Sequence, residues 1–264
     1  MDSGASALEQ FQQDLNVIGN NIANVDTVGY KSSTMNFADT FSQTLGSNSV
    51  GTMQLGTGVK TSDIETDFSQ GTPTNTGVAT NLAIDGNGFF LVQDPVSGSQ
   101  YLTRDGDFTV NASGNLVTST GMEVMGFATG STTPAAINVN SGTDTSGVTS
   151  YSFSTSGVLT ANYTDGTSAA ISQVVLQNCT DPQELVDAGN NLYANMSAAG
   201  PLSAAVTPGS SGTGVLVPES LEESNVDLSS QLTDLITAQR AYEANAKVVT
   251  TSDQIMQDLT NLGR

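Results

Sequence analysis

Residues 15–31 read LNVIGNNIANVDTVGYK, and this stretch combines an apolar helical repeat with a cluster of asparagines. The repeat extends beyond the quoted stretch, with spacings that alternate between three and four residues, over Leu8, Phe11, Leu15, Ile18, Ile22 and Val25. Such spacing is typical of a narrow heptad seam, whereas an ordinary surface helix carries a wider apolar stripe. We predict a helix that stops near Thr27–Gly29 and packs within an assembly of helices.

The asparagines of this helix need a separate explanation. Asn20, Asn21 and Asn24 lie within it, although Asn is a mediocre helix former that competes for backbone hydrogen bonds. In a tightly packed assembly, amides supply hydrogen bonds at positions where a charge would be costly to bury. We therefore interpret them as polar faces of a packed helix.

A second helix is predicted over the last 40 residues. Ser224 and Asp227 have the spacing of a capping box at its start. Its heptad positions are Leu228, Leu232, Leu235, Tyr242, Ala246, Val249 and Met256, and a rotated second stripe follows at Ile255, Leu259 and Leu262. At 1.5 Å per residue, this helix spans roughly 55 Å and the N-terminal helix roughly 31 Å. The C-terminal helix therefore overhangs its partner.

The surplus stripe on the overhang has two explanations. The two helices could form an appendage packed on their own β domain, or the stripe could meet copies of itself. The presence of a heptad pattern at both ends of the chain favours self-assembly. On this hypothesis the assembly interface consists of Leu8, Phe11, Leu15, Ile18, Asn21, Ile22, Val25, Leu228, Leu232, Leu235, Tyr242, Val249 and Met256.

The region between the helices alternates predicted strands with turns. The strands are predicted at 78–84, 89–93, 101–103, 107–110, 115–118, 122–127, 150–153, 158–163 and 169–177, with a low-complexity loop at 128–149 and a short helix at 37–41. The predicted fold class is α+β. Terminal helices at 1–30 and 225–264 form a coiled-coil-like domain, 31–75 is a linking segment, and 76–224 is a mostly antiparallel β-rich outer domain.

One motif in the β-rich region resembles a nucleotide-binding signature. LAIDGNGFFLV at 82–92 places GNG after an apolar run, but the third glycine is missing and the next residues are typical of a strand. We predict a hairpin turn at Asp85–Gly88 instead.

Composition argues against most catalytic and ligand-binding functions. The net charge is −20, and the six basic residues leave no basic patch that could bind nucleic acid. The chain has no His and a single cysteine, Cys179, so neither an ordinary zinc site nor a Ser/His/Asp or Cys/His catalytic system can be assembled. We predict no enzymatic activity, no metal and no cofactor, and we expect Cys179 to be a packed residue at a strand end rather than a cross-link donor.

Targeting signals are not evident in the sequence. Residues 1–20 lack the basic and apolar regions of a cleaved signal peptide, and no run approaches the ~20 apolar residues of a membrane span. We predict that the chain does not span a membrane.

Five segments resemble a known family. DLNVIGNNIANVDTVGYKSS (14–33) and the segment from LEESNVDL to MQDLTNL (221–262) closely resemble the N- and C-terminal signatures of bacterial flagellar rod and hook proteins. LAIDGNGFFLV, YLTRDGDFTV (101–110) and GNNLYANMSAAG (189–200) resemble β-domain motifs of that family. NFADTFSQTL (36–45) and YSFSTSGVLTANYTDGT (151–167) are more similar to its hook members than to its distal rod members. Many hook members carry a further outer domain, and only the loop at 128–149 stands in its place here.

The resemblance implies a minimal hook subunit, with a distal rod subunit as the alternative. It implies a tubular, bendable homopolymer that transmits torque, in which the terminal helices surround an export channel. The implied partners are other copies of the chain, rod and hook-filament junction proteins, the hook cap and the type III export apparatus. The implied location is the flagellar hook or basal body, outside the cell, after export. The alternative from another class is a monomeric secreted β-domain adhesin or hydrolase.

Overall fold

The computed structural model describes residues 2–48, 51–140, 148–194, 196–200 and 205–263. The chain divides into two units. Unit 1 takes its residues from 1–25, 31–67 and 226–264, and unit 2 takes its residues from 26–30 and 68–225. The described residues are α+β, with two long helices and mostly antiparallel strands, as predicted.

Unit 1 contains both long helices and four strands. The helices are α1 (Asp2–Ala23) and α2 (Leu228–Leu262), and the strands are β1 (Ser33–Asp39), β2 (Ser42–Asn48), β3 (Gly51–Gly56) and β4 (Val59–Thr66). Strand β1 pairs with β4 and β2 pairs with β3, both antiparallel. Helix α1 lies against α2 and also against β1 and β4.

Both long helices differ from the prediction at one end. Helix α1 ends at Ala23, earlier than predicted. The N–H of Asn24 still donates to the oxygen of Asn20 at 3.1 Å, but the N–H of Val25 donates to the oxygen of Ile22, three residues back, so the helix tightens into a turn. The N-cap of α2 is Asp227, whose carboxylate accepts from the backbone N–H groups of Ser229 and Ser230. The prediction that the cap of α2 begins at Ser224 is therefore wrong, because the N-cap lies three residues later, about one helical turn.

The predicted short helix at 37–41 is also wrong. Residues Ser33–Asp39 form β1, in which Met35 is buried and its neighbours on either side are less buried. The apolar residues of this stretch fit both a helical and an alternating spacing, and pairing of β1 with β4 selects the strand. Tertiary contacts thus override the local pattern.

Unit 2 contains the remaining strands and one short 3₁₀ helix at Pro182–Glu184. The strands are β5 (Pro73–Asn75), β6 (Leu82–Asp85), β7 (Phe89–Gln93), β8 (Gln100–Thr103), β9 (Phe108–Val110), β10 (Leu116–Thr118), β11 (Glu123–Ala128), β12 (Pro134–Ala136), β13 (Val148–Phe153), β14 (Val158–Tyr163), β15 (Ser168–Val174), β16 (Leu176–Gln177), β17 (Val186–Gly189), β18 (Leu192–Ala194), β19 (Val215–Pro218) and β20 (Ser220–Glu222).

One large antiparallel sheet organises unit 2. Its main order is β13-β14-β15-β11-β7-β8-β18-β17, and β9, β10, β12 and β16 pair alongside this path. Two smaller antiparallel pairs join the first strands of this unit to its last strands. Strand β6 pairs with β19, and β5 pairs with β20. The core is apolar and includes Phe90 and Phe108, whose rings meet edge to face at 5.1 Å. Cys179 is buried in a second apolar cluster, as predicted.

The turn at Asp85–Gly88 is present, but it does not close a hairpin. Strand β6 pairs with β19, whereas β7 pairs with β8, β11 and β16. Gly86 has a φ of 114°, and a Cβ on it would lie 2.9 Å from the Cα of Gly214. The glycine is needed for this close backbone approach, and the chain crosses here from one sheet to another.

Several other predicted boundaries shift. The first strand predicted in this region begins at Leu82 rather than at residue 78. The predicted loop at 128–149 contains β12, which pairs with β11, and the start of β13. Its residues 141–147 lie outside the described part of the chain.

Candidate functional site

The predicted seam of α1 faces the inside of unit 1. Ile18 and Asn21 are buried, with 6% and 1% of their surface exposed. The other predicted positions are half-buried, namely Leu8, Phe11, Leu15 and Ile22 on the helix and Val25 just beyond its end. The ring of Phe11 packs against that of Phe37 in β1 at 5.6 Å. The seam of α1 therefore contacts β1 as well as α2.

Asn21 joins three elements of unit 1. Its Nδ2 donates to the backbone oxygen of Ser33 at 2.7 Å and to Oε1 of Gln231 on α2 at 3.1 Å. Its Oδ1 accepts from the backbone N–H of Ser33 at 3.0 Å. One buried amide thus satisfies both backbone groups at the start of β1, which explains an asparagine inside a helix.

We expect Asn21→Ala to lower the free energy of unfolding of unit 1 by about 2–3 kcal/mol, because it leaves both backbone groups of Ser33 without this partner. Asn16→Ala is the matched control, since Asn16 is an exposed asparagine on the same helix. It should change the free energy by less than about 0.5 kcal/mol. Urea unfolding followed by helical circular dichroism measures both, and equal effects would contradict the assigned role of Asn21.

The face of α2 that is covered within unit 1 carries mainly small and polar side chains. The buried or half-buried positions are Gln231, Leu235, Ala238, Ala241, Asn245, Ala246, Val249 and Ser252. Near the far end of the pair, a Cβ on Gly4 of α1 would lie 3.1 Å from Val249, so the two backbones approach closely there. Three predicted heptad residues, Leu235, Ala246 and Val249, belong to this covered face.

The large apolar side chains of α2 are mostly exposed. Eight of them expose at least 42% of their surface: Leu228, Leu232, Ile236, Val248, Ile255, Met256, Leu259 and Leu262. Tyr242 exposes 37%. An amphipathic helix ordinarily turns its apolar stripe toward its packing partner. The partner of this stripe is thus absent from the described part of the single chain.

The overhang predicted from the sequence is confirmed. Helix α2 has 35 residues and α1 has 22. Every residue from 253 to 263 is exposed, which corresponds to about 15 Å of helix beyond the end of α1. The apolar side chains of the rotated stripe, Ile255, Leu259 and Leu262, lie on this overhang.

A groove of about 360 Å³ lies between α1, β1 and α2. Its walls include Phe11, Asp14, Ile18, Met35, Phe37 and Asp234, and we call it the acidic groove. Burial raises the pKa of Asp14 above its ordinary value of 3.8, and the nearby carboxylate of Asp234 raises it further. Two carboxylates thus share a largely apolar groove, at a cost to the folded monomer.

This cost gives the stability of unit 1 a pH dependence. Because folding raises the pKa of Asp14, protonation of this carboxylate favours the folded state over the unfolded state. This stabilisation is fully present below pH 3.8 and is lost as the pH rises through the folded pKa. We expect Asp14→Asn to raise the melting temperature at pH 7 and to have a smaller effect below pH 3.8. Asp63→Asn, an exposed position on β4, is the control and should change little. A lower melting temperature of the Asp14 variant at pH 7 would contradict this account.

Unit 2 contains a buried ion pair that the sequence analysis did not identify. Nη1 of Arg104 donates to Oε2 of Glu222 at 3.2 Å, and the two side chains are 4% and 1% exposed. Nη2 of Arg104 donates to the backbone oxygen of Gly86 at 2.9 Å, and Oε1 of Glu222 accepts from the N–H of Gly71 at 2.8 Å. Both residues lie in motifs that contain other charged residues, so the sequence did not distinguish Arg104 and Glu222 from their neighbours.

Neither a metal centre nor a membrane-spanning helix is found in the part of the chain that the structure describes. Among the described residues there is no group of three or more His, Cys, Asp or Glu side chains that could hold a metal ion. No helix in the described ranges combines the length and the apolar character that a membrane span requires.

Comparisons with known proteins give matches along most of the chain. Residues 1–31 match the family described as flagella basal body rod protein, residues 83–161 match the flagellar hook protein FlgE/F/G D1 domain, and residues 217–262 match the flagellar basal body rod FlgEFG protein C-terminal.

Individual relatives cover nearly the whole chain. The flagellar basal-body rod protein FlgG of Bacillus subtilis is 38% identical over 272 residues, which cover 99% of this chain and 98% of the relative. The protein of the same name from Caulobacter vibrioides is 36% identical over 272 residues, covering 98% and 97%. The flagellar hook protein FlgE of Salmonella typhimurium is 28% identical over 406 residues, covering 97% and 98%.

Proposed function

We propose that this chain, which belongs to the family of bacterial flagellar rod and hook proteins, is a structural subunit of the distal rod of the flagellar basal body. Its relatives are structural proteins rather than enzymes. The observation that carries the proposal is the outward apolar face of α2, because a 35-residue helix with eight exposed large apolar side chains needs further copies to cover it.

The relatives support the rod alternative better than the hook function predicted from the sequence. The rod relatives align with this chain almost residue for residue, whereas the hook alignment spans 406 positions against 264 residues here. The hook relative therefore contains inserted residues that have no counterpart in this chain. The two segments at 36–45 and 151–167, which suggested a hook protein, are short compared with this difference in length.

The proposed subunit assembles through its terminal helices. In this arrangement the helical domain at 1–30 and 225–264 forms a coiled-coil-like inner tube around an export channel, the segment 31–75 links the layers, and the β-rich domain at 76–224 lies outside. The predicted interface residues of α2 that are exposed, Leu228, Leu232, Tyr242 and Met256, are available for contacts between copies. Those of α1 and the remaining ones of α2 hold the two helices of one subunit together.

The proposed partners follow from this position. They are further copies of the chain, the neighbouring rod and hook proteins, and the type III export apparatus that delivers the subunit outside the cell. The hook cap and the hook-filament junction proteins would be partners only of a hook subunit.

Location in the flagellum tests the proposal. A strain that carries this chain with an epitope tag in its β-rich domain would be used to isolate hook-basal bodies, which would be labelled with gold-conjugated antibody and imaged by electron microscopy. We expect the label on the rod below the hook. Label along the curved hook would contradict the rod assignment and support the hook function. Label on neither structure would contradict both.

A further inference from the structure

The acidic groove of unit 1 lacks a cation within the described part of the chain. Asp14 and Asp234 both line this groove together with Phe11, Met35 and Phe37, and the charge of Asp234 acts on Asp14. The burial and repulsion that raise the pKa of Asp14 would both be offset by a cation with an apolar stem placed between the two carboxylates.

The chain offers few cations that could fill this role. It has six basic residues against 26 acidic ones. Lys31 and Arg104 are buried, and Arg264 lies outside the described residues, so the exposed candidates are Lys60, Arg240 and Lys247. Arg240 makes no ion pair within the described part of the chain.

Arg240 is not among the residues that line the acidic groove, although its neighbours on the helix, Thr237 and Ala241, are. It follows Ala238, which lines the groove and is 4% exposed, by two residues, or about 200° around the helix. Ile236, one turn before Arg240, has 51% of its surface exposed and lies on the same side of the helix as Arg240. This turn of the helix thus presents an apolar side chain and a free guanidinium side by side.

We propose that the acidic groove of one copy receives the Ile236–Arg240 turn of α2 from a second copy. Ile236 packs against the aromatic walls, and the guanidinium of Arg240 binds between the carboxylates of Asp14 and Asp234. A guanidinium suits two carboxylates because its donors form a planar fork, and Arg is common at the centres of interfaces.

The geometry of the two surfaces has a consequence for the form of the assembly. Ile236 and the groove lie on different sides of α2, so one copy can use its groove and its Ile236–Arg240 turn with two different neighbours. Such a head-to-tail contact generates an open polymer or a ring, whereas a contact between identical patches closes a dimer. The inference rests on the proposed function and names the side chains of one contact within it.

Charge exchange tests the contact. The critical concentration for polymerisation of the full chain would be measured by sedimentation for four proteins: the natural chain, Arg240→Glu, Asp14→Asn/Asp234→Lys, and the triple variant that combines them. We expect at least about a tenfold rise for each of the two reversals. The triple variant should return to within about threefold of the natural chain, because the reversed charges attract again. Residues 234 and 240 are six apart on one helix and do not face each other, so such a rescue must act between copies.

The groove variant separates this contact from general repulsion. It reduces the negative net charge, so repulsion alone predicts easier polymerisation, whereas the proposed contact predicts harder polymerisation. Lys60→Glu, which changes the charge by the same amount as Arg240→Glu, is the control and should polymerise like the natural chain. Circular dichroism verifies that each monomer is folded.

The outcomes distinguish this inference from the proposed function. Two results would overturn the contact and leave the rod function standing. In the first, the natural chain polymerises and both reversals have its critical concentration. In the second, the reversals lose polymerisation and the triple variant does not restore it. No polymer from the natural chain under any condition would count against the proposed function itself.

Discussion

Replacing Ile255 and Leu259 together with aspartate is expected to abolish assembly and to leave the monomer folded. Both side chains are more than half exposed on the overhang of α2, so the folded monomer loses little when they change. In the polymer they are expected to be buried, where each contributes about 1.5–3 kcal/mol. A charge in their place would have to be desolvated without a partner, which costs several kcal/mol more. Electron microscopy and sedimentation of the purified variant should show no polymer.

The control for this variant places the same two charges elsewhere on the overhang region of α2. Thr250→Asp/Gln257→Asp adds them at exposed polar positions on the other side of the helix. We expect this protein to polymerise, because its apolar stripe is intact. If both double variants polymerise, the outward face of α2 is not an assembly surface. If the Ile255/Leu259 variant loses its helical circular dichroism, the stripe stabilises the monomer instead.

Replacing Arg104 with methionine is expected to lower the free energy of unfolding of unit 2 by about 3–5 kcal/mol. The change leaves the carboxylate of Glu222 buried without its cation, and it removes the guanidinium from the backbone oxygen of Gly86 and from the ring of Phe89, whose centroid is 5.3 Å away. Chemical unfolding followed by tyrosine fluorescence would measure the loss, since Tyr193 lies in a buried cluster of unit 2.

The double variant Arg104→Met/Glu222→Gln provides the test of mechanism. It removes both charges and keeps an amide oxygen that can accept from the N–H of Gly71. We expect it to be more stable than Arg104→Met alone, because no unpaired charge remains buried. A double variant as unstable as the sum of the two single variants would mean that the two residues act independently.

The sequence predicted the elements whose periodicity is strong. The three- and four-residue spacing from Leu8 to Val25 gave α1, and the alternation of apolar residues gave strands such as Phe89–Gln93 and Val158–Tyr163 within one or two residues. The difference in helix length gave the overhang. These features depend on local patterns, which a single sequence contains in full.

Features set by distant contacts could not be predicted. The segment Ser33–Asp39 becomes a strand because β4 pairs with it, and Asp85–Gly88 joins two sheets because β19 captures β6. Arg104 and Glu222 are 118 residues apart, and nothing local in either motif indicates that they form a pair. Asn21 was recognised as unusual, but its hydrogen bonds to Ser33 and Gln231 depend on the tertiary fold.

The α2 seam was predicted only in part, for a physical reason. The heptad positions were chosen by their large apolar side chains, whereas α1 packs closely on small and polar ones such as Ala238 and Asn245. Small side chains let the two backbones approach, and the larger apolar side chains remain outside. The heptad pattern therefore combines exposed residues such as Leu232 and Met256 with covered ones such as Leu235 and Val249.

Hydrogen exchange at residues 248–262 of α2, compared between monomer and polymer, tests the central claim most directly. In the monomer this segment is exposed apart from the half-buried Val249 and Ser252, and its amides should exchange quickly through local opening. We predict that polymerisation slows their exchange by at least about a hundredfold, because neighbouring copies cover the apolar stripe. Equal exchange at 248–262 in monomer and polymer would contradict the claim that this chain assembles through the outward face of its C-terminal helix.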